Sequence, residues 1–153
     1  MNFNYIKNAF SFLEEDFDYE LVELIRHDNK FEFEFLYSNK SAKRSITIVF
    51  NGSGIPDIVI SKFSKQNSIF QSIAIKIGFN EFSIADYAEV ITDGRINKSD
   101  LVKQYKPELY ILYIKDHQEQ SRLIIELYQK ILKKELGKVI IGEVWINWKE
   151  LQN

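Results

Sequence analysis

Cysteine is absent from the 153-residue chain. Without it the protein forms no disulfide, binds no metal through thiolates and has no cysteine nucleophile. The absence of disulfides also fits a reducing compartment. We therefore expect a cytoplasmic protein.

Long apolar runs are also missing from the sequence. No stretch approaches the roughly 20 apolar residues that a membrane-spanning helix needs. Residues 1 to 17 mix phenylalanine with Asn, Glu and Asp, and do not form a basic region followed by an apolar one. The sequence therefore predicts neither export by a signal peptide nor a membrane span.

Charge of one sign is not in excess over the whole chain, since the net charge is −2. This balance argues against a nucleic-acid partner, because such binding needs a concentrated Lys and Arg surface. The distribution is uneven, however: the first 35 residues contain nine acidic side chains against three basic ones. This acidic third indicates a surface for a cationic partner, and simple solvation of the carboxylates is the alternative.

Apolar and aromatic residues are plentiful, at 45% apolar content with 12 Phe and 8 Tyr. That content and the length predict a single domain spanning residues 1–153. Residues 31 to 37 carry an aromatic side chain at every second position, which is typical of a half-buried strand. The alternation places the aromatic side chains on one face of the strand and Glu32 and Glu34 on the other.

Further strands are predicted from the same period of two and from turn-forming residues between the segments. The fold class is therefore α+β, with a mostly antiparallel meander sheet of about four to five strands. The other predicted strands cover residues 19–26, 44–50, 57–63 and 69–77.

Helical periodicity appears at both ends of the chain. Four apolar residues at helical spacing predict an N-terminal helix to about Asp16 as a cover for the sheet. Short connecting helices are expected at 84–91 and 100–105. A long C-terminal helix is expected from Pro107 to about Gly142, packed on the sheet, with 143–153 as a short C-terminal tail. The N-terminal stripe consists of Phe3, Ile6, Phe10 and Leu13.

Motifs for catalysis and metal binding are not found in the sequence. His27 and His117 lack ligands at metal-site spacing. Gly52 and Gly54 fit a hairpin turn better than a phosphate-binding loop, and no G-x-S-x-G elbow occurs. We therefore expect a non-enzymatic protein with no catalytic residue, metal or cofactor. Two alternatives stay open: an enzyme using Asp/Glu acid-base or carboxylate metal chemistry, and a scaffold or regulatory subunit.

Three residues are candidates for binding a protein partner: Glu32, Glu34 and Trp145. The two glutamates share a strand face, about 7 Å apart by the rise of a strand. Tryptophan is enriched at binding hot spots, and the spacing of Trp145 and Trp148 in an extended tail sends them to opposite sides. The alternative for Trp145 is that it anchors the tail to its own domain.

Three features of the chain carry a resemblance to a known group of proteins. They are Phe10–Phe17 leading into Leu21–Glu23, the successive hairpins, and a final helix ending at Ile140–Glu143. In these features the chain resembles small bacterial proteins, including immunity proteins of contact-dependent or polymorphic toxin systems. The resemblance implies a cytoplasmic protein that binds a cognate toxin and blocks its active site or substrate surface without catalysis of its own. No functional residue carries over from it. The acidic N-terminal third indicates a basic toxin such as a nuclease.

Overall fold

An antiparallel sheet with helices on one face makes up the part of the chain that the computed structural model describes. Those residues are 3–26, 32–51, 56–63, 81–84 and 116–146. The strands are β1 (Glu20–Arg26), β2 (Glu32–Asn39), β3 (Arg44–Asn51), β4 (Asp57–Lys62) and β5 (Glu81–Ser83). The helices are α1 (Phe3–Ala9), α2 (Phe12–Phe17), α3 (His117–Lys130), a π-helical segment (Ile131–Glu135) and α4 (Gly137–Ile140).

The strands follow one another across the sheet in chain order, β1-β2-β3-β4-β5, and every neighbouring pair is antiparallel. This arrangement confirms the predicted α+β fold with an antiparallel meander. The fifth strand of the described sheet is β5, with only three residues. The strand predicted at 69–77 and the connecting helices predicted at 84–91 and 100–105 lie outside the described residues, apart from Ile84.

One face of the sheet, here called the core face, carries the aromatic and branched side chains. The register sets Phe35 opposite Ile48 and Tyr37 opposite Ile46, and all four residues are fully buried. Directly opposed residues of antiparallel strands share a face, so their side chains pack as cross-strand pairs. The alternation from Phe33 to Tyr37 is therefore confirmed, and Phe31 lies outside the described residues.

Two short helices cover this face at the N-terminal end, where a single helix to Asp16 was predicted. The predicted apolar stripe is correct, since Ile6, Phe10 and Leu13 are fully buried. The prediction of one uninterrupted helix was wrong because the chain makes a tight turn at Phe10 and Ser11. Asp18 ends α2 with φ 56°, a left-handed conformation that Asp tolerates better than most residues.

The C-terminal helix is shorter than the sequence predicted. It begins at His117, where the Asp116 side chain accepts hydrogen bonds from the backbone N–H groups of Gln118 and Glu119, and its α-helical part ends at Lys130. A π-helical turn follows, and Leu136 (φ −100°, ψ 8°) separates it from α4. The prediction of a long helix was wrong because buried apolar residues at helical spacing continue through these breaks and hide them in the sequence. Leu132, Leu136 and Val139 are all buried although they belong to different segments.

Candidate functional site

The face of the sheet opposite the core face, here called the outer face, carries mostly polar side chains. Its residues follow from the register, which sets Glu23 opposite Leu36 and Ile25 opposite Glu34. The same alternation continues into β3, where Glu34 faces Val49, and into β4, where Val49 faces Asp57. The outer face thus has a small apolar centre, which includes Leu36 and Val49, with charged and other polar residues around it.

Acidic residues supply all of the formal side-chain charge on the described part of the outer face, which holds neither Lys nor Arg. Glu20 and Glu23 are exposed, and the other four acidic residues are partly exposed. The hydroxyl side chains of Ser45 and Ser61, which are directly opposed on this face, are buried. We call these six carboxylates the acidic face: Glu20, Glu23, Glu32, Glu34, Asp57 and Glu81.

Helix α2 and its link to β1 add further negative charge close to this strand. Because α2 ends at Phe17, only two residues before β1 begins, its side chains lie close to that strand. Four further carboxylates in this segment are exposed, and no basic residue occurs between Lys7 and Arg26. Negative charge therefore lies both on β1 and close to it. The four residues are Glu14, Glu15, Asp16 and Asp18.

Strand β1 itself is the most exposed strand of the sheet. Every residue of β1 is at least partly exposed, and the side chains of Val22 and Leu24 are 58% and 39% exposed. A register shift between Leu21 and Glu23 leaves Val22 as the extra residue of a β-bulge. Among the strands that the structure describes, β1 pairs on one side only, with β2.

Trp145 lies in a different region, at the end of the sheet where β2 turns into β3. Its ring is partly buried, with the Phe82 ring 5.4 Å away and the Arg44 guanidinium carbon 4.9 Å from its centroid. These contacts tie the segment after α4 to the core face. Trp145 therefore anchors this part of the tail, while Trp148 lies outside the described residues.

Arg44 is the centre of this anchor and is only 4% exposed. Its guanidinium donates to the backbone carbonyls of Val139 (3.0 Å), Lys43 (3.0 Å), Ala42 (3.3 Å) and Val144 (3.1 Å). Burial lowers the pKa of Arg44 from its ordinary value, and the Tyr19 phenol opposes the shift. The hydrogen bonds compensate the charge for its lost hydration, so we interpret Arg44 as a structural residue.

The three residues predicted to bind a partner are not brought together. Glu32 and Glu34 lie on the outer face near the β1–β2 connection, whereas Trp145 packs against residues of the core face. Along β2, Glu32 and Asn39 are seven residues apart, roughly 23 Å at the rise of a strand. Asn39 faces Arg44, so Glu32 and Trp145 lie at opposite ends of the sheet. A compact partner-binding surface that includes Glu32 and Glu34 therefore does not include Trp145.

Residues considered for chemistry in the sequence are mostly outside the described part. His27, Gly52 and Gly54 are among them, while the backbone of His117 opens α3. Within the described residues, no group of three or more His, Asp or Glu side chains is arranged to hold a metal ion. Glu119 and Glu126 instead form ion pairs with Arg122 on the surface of α3.

Buried tyrosines are the remaining titratable groups with strongly altered properties. Burial raises the pKa of Tyr37 to about 12, and it raises the pKa values of Tyr19 and Tyr128 further. The Tyr19 hydroxyl donates to the Ile140 carbonyl at 2.7 Å. The Tyr37 hydroxyl is buried and finds no hydrogen-bond partner in the described structure. These phenols are neutral at physiological pH and belong to the core.

Sequence reasoning missed two features of this region. The first is Arg44, whose parity with Ile46, Ile48 and Phe50 places it on the core face and could have marked it as buried. The second is the exposure of Val22 and Leu24. Their apolar character did not indicate exposure, because exposure here follows from the position of β1 at the edge of the described sheet. That position depends on strand order, which a single sequence does not reveal.

Comparison of the chain with protein-family models, with curated proteins and with solved structures finds no match. None of the helices in the described residues has the length and apolar character needed to cross a membrane.

Proposed function

We propose that this protein is a non-enzymatic binding module that recognises another protein, and that it acts in the cytoplasm as an immunity or inhibitor protein against a basic toxin such as a nuclease. The observation that carries the proposal is the acidic face. Six carboxylates share the outer face of one sheet, and the described part of that face has no basic residue. Four more exposed carboxylates lie beside β1.

Such a surface suits a cationic protein for a physical reason. Carboxylates of one sign on a rigid sheet create a negative potential that accelerates the diffusional encounter with a basic partner. The apolar residues between them, among them Leu36 and Val49, are partly exposed and offer contact area within the charged rim. Binding would cover the basic surface that a nuclease uses for its phosphate backbone.

The test is affinity capture of the tagged protein from its native cells, with mass spectrometry of the retained proteins. We expect a stoichiometric basic protein whose association rate falls as salt concentration rises. Association that is unchanged by salt would contradict the electrostatic basis of the proposal. Capture of an acidic partner would contradict the choice of a basic toxin.

Charge reversal locates the binding surface. The double variant Glu32→Lys and Glu34→Lys should slow association by about tenfold or more, because electrostatic steering supplies up to several orders of magnitude in rate. The matched control is Glu135→Lys with Glu143→Lys, two exposed glutamates in the C-terminal segments. Both variants change the net charge equally, so equal effects on association would show that total charge matters and the acidic face does not.

A further inference from the structure

The exposed edge of β1 combines an open backbone with apolar side chains. In the described sheet β1 is hydrogen-bonded to β2 alone, so its other side presents backbone N–H and C=O groups that no described strand pairs with. Proteins ordinarily protect such edges, because they invite another strand. The bulge at Val22 protects only the first half of β1, since the pairing from Glu23 to Arg26 is regular.

Side chains of β1 differ between its two faces from Glu20 to Leu24. Glu20 and Glu23 point to the outer face, while Leu21 and Leu24 share the core face with Tyr37 and Phe35. At the end of the strand Ile25 lies on the outer face and Arg26 on the core face. A strand added beside β1 would place its alternate side chains next to these two sets. Basic side chains would meet Glu20 and Glu23, and apolar side chains would meet Leu21 and Leu24.

We propose that β1 accepts an extended segment of a partner protein as a sixth strand, and that this segment alternates Lys or Arg with apolar residues. Backbone hydrogen bonds supply the attachment, and the alternation supplies the selectivity. The inference rests on the proposed function, because it presupposes a protein partner, and it specifies how that partner is held.

A second copy of this chain is a poorer occupant of the same edge. Two β1 strands side by side would also bring together two copies of the exposed carboxylates on and beside the strand, from Glu14 to Glu23. Like charges across neighbouring strands destabilise the pair. A basic segment meets the same carboxylates with opposite charge.

The first experiment uses the full chain and a synthetic peptide of the same seven-residue length as β1, in which lysine and valine alternate. We expect the peptide to bind and to slow hydrogen exchange of backbone amides in β1. Two further peptides carry N-methyl groups on either the odd or the even residues. Alternate N–H groups of a strand face opposite neighbours, so only one of these peptides should lose binding.

Each other outcome contradicts strand addition. Equal binding of all three peptides would show attraction through charge alone. Equal loss with both methylated peptides would show no preferred side, and no binding of the unmodified peptide would exclude this occupant. A β1-dependent dimer of the protein in the absence of peptide would assign the edge to a second copy.

Substitutions in β1 give an independent check. Leu24→Lys and Val22→Lys remove exposed apolar groups and add positive charge, so each should weaken peptide binding by about tenfold, which corresponds to about 1.4 kcal/mol. The matched control is Val144→Lys, because Val144 is 47% exposed and lies in the C-terminal segment. The control should bind like the unmodified protein, and an equal loss in the control would contradict the assignment to β1.

The captured partner separates failure of this inference from failure of the proposed function. If the double variant Glu32→Lys and Glu34→Lys weakens binding of the captured partner and the β1 variants do not, the acidic face binds the partner without strand addition. If the peptide binds with the expected parity but no basic partner is captured, the edge accepts strands and the inhibitor proposal fails.

Discussion

At the scale of single residues, the contact between Gly142 and the β2–β3 turn fixes the path of the chain after α4. Gly142 has φ +85°, and a Cβ atom at this position would lie 2.6 Å from the Ala42 carbonyl oxygen. Only glycine satisfies both the positive φ and the close approach. The position of Trp145 over the core depends on this turn, since only Glu143 and Val144 separate the two residues.

We expect Gly142→Ala to lower the free energy of unfolding by about 2 kcal/mol or more, from the left-handed backbone and the overlap with Ala42. The control is Gly137→Ala, where a Cβ meets nothing within 4 Å. Because Gly137 begins a helix, its replacement should leave stability unchanged or raise it by up to about 1 kcal/mol. Urea denaturation of both variants measures the difference, and equal midpoints would contradict it.

At the scale of secondary-structure elements, Arg44 connects three segments: the β2–β3 turn, α4 and the residues after α4. Its acceptors are carbonyl oxygens in all three. The planar guanidinium can reach them at once because its N–H groups point in fixed, divergent directions. A lysine ammonium at the end of a flexible chain cannot reproduce this geometry.

Arg44→Lys should therefore lower the free energy of unfolding by about 3 kcal/mol, since hydrogen bonds to charged groups contribute about 1.5 to 3 kcal/mol each and the lysine keeps some of them. Hydrogen exchange near Val144 should also become faster. The control is Arg26→Lys, an exposed arginine whose guanidinium carbon lies 4.5 Å from the Phe3 ring centroid. That change should stay within about 0.5 kcal/mol, and similar losses in both variants would contradict a special role for Arg44.

Strands were predicted more accurately than helices, for a reason visible in particular residues. The alternation from Phe33 to Tyr37 reports burial directly, because the period of two changes face at every residue. The buried apolar residues at helical spacing between Ile125 and Val139 indicate only which side of the chain faces the core. Their spacing continues through the π-helical turn and Leu136, so the apolar pattern does not indicate the breaks in the helix.

The candidate site was predictable only in part. The alternation placed Glu32 and Glu34 together on a face, and the structure describes them there. The distance between these glutamates and Trp145 could not be predicted, because it depends on the tail folding back to Arg44 and Phe82. Contacts between residues so distant in sequence arise from tertiary packing, which local patterns do not encode.

At the scale of the whole molecule, the buried tyrosines link stability to alkaline pH. The ordinary phenol pKa is 10.0, and burial raises the pKa of Tyr37 to about 12 in the folded protein. Below pH 10 the phenol is neutral in both states and its contribution is fully present. As pH rises from 10 towards 12, the unfolded state loses the proton first, so this contribution to stability is lost.

Replacing Tyr37 by Phe removes this group without removing a hydrogen bond, because the buried hydroxyl finds no partner in the described structure. We expect Tyr37→Phe to be as stable as the unmodified protein at pH 8 or slightly more so. Between pH 10 and 12 the free energy of unfolding should fall less steeply with pH for Tyr37→Phe than for the unmodified protein. The two slopes should differ by about 1.4 kcal/mol per pH unit. Urea midpoints across this range measure the slope. Tyr5→Phe, at a more exposed phenol, is the control, and identical slopes for Tyr37→Phe and the unmodified protein would contradict the prediction.

The hydrogen bonds around Arg44 have a consequence for folding during synthesis on the ribosome. Tyr19 and Arg44 donate to Ile140 and Val139, which follow them by 121 and 95 positions. On the ribosome the strands β1 to β4 emerge first, and their hairpin contacts are local enough to form early. The Val139 and Val144 carbonyls emerge 95 and 100 residues after Arg44, so until then only the neighbouring Ala42 and Lys43 carbonyls can accept from its guanidinium. Synthesis of residues 139–144 is thus the step that completes the set of acceptors around Arg44, and a shorter nascent chain leaves part of this charge to water.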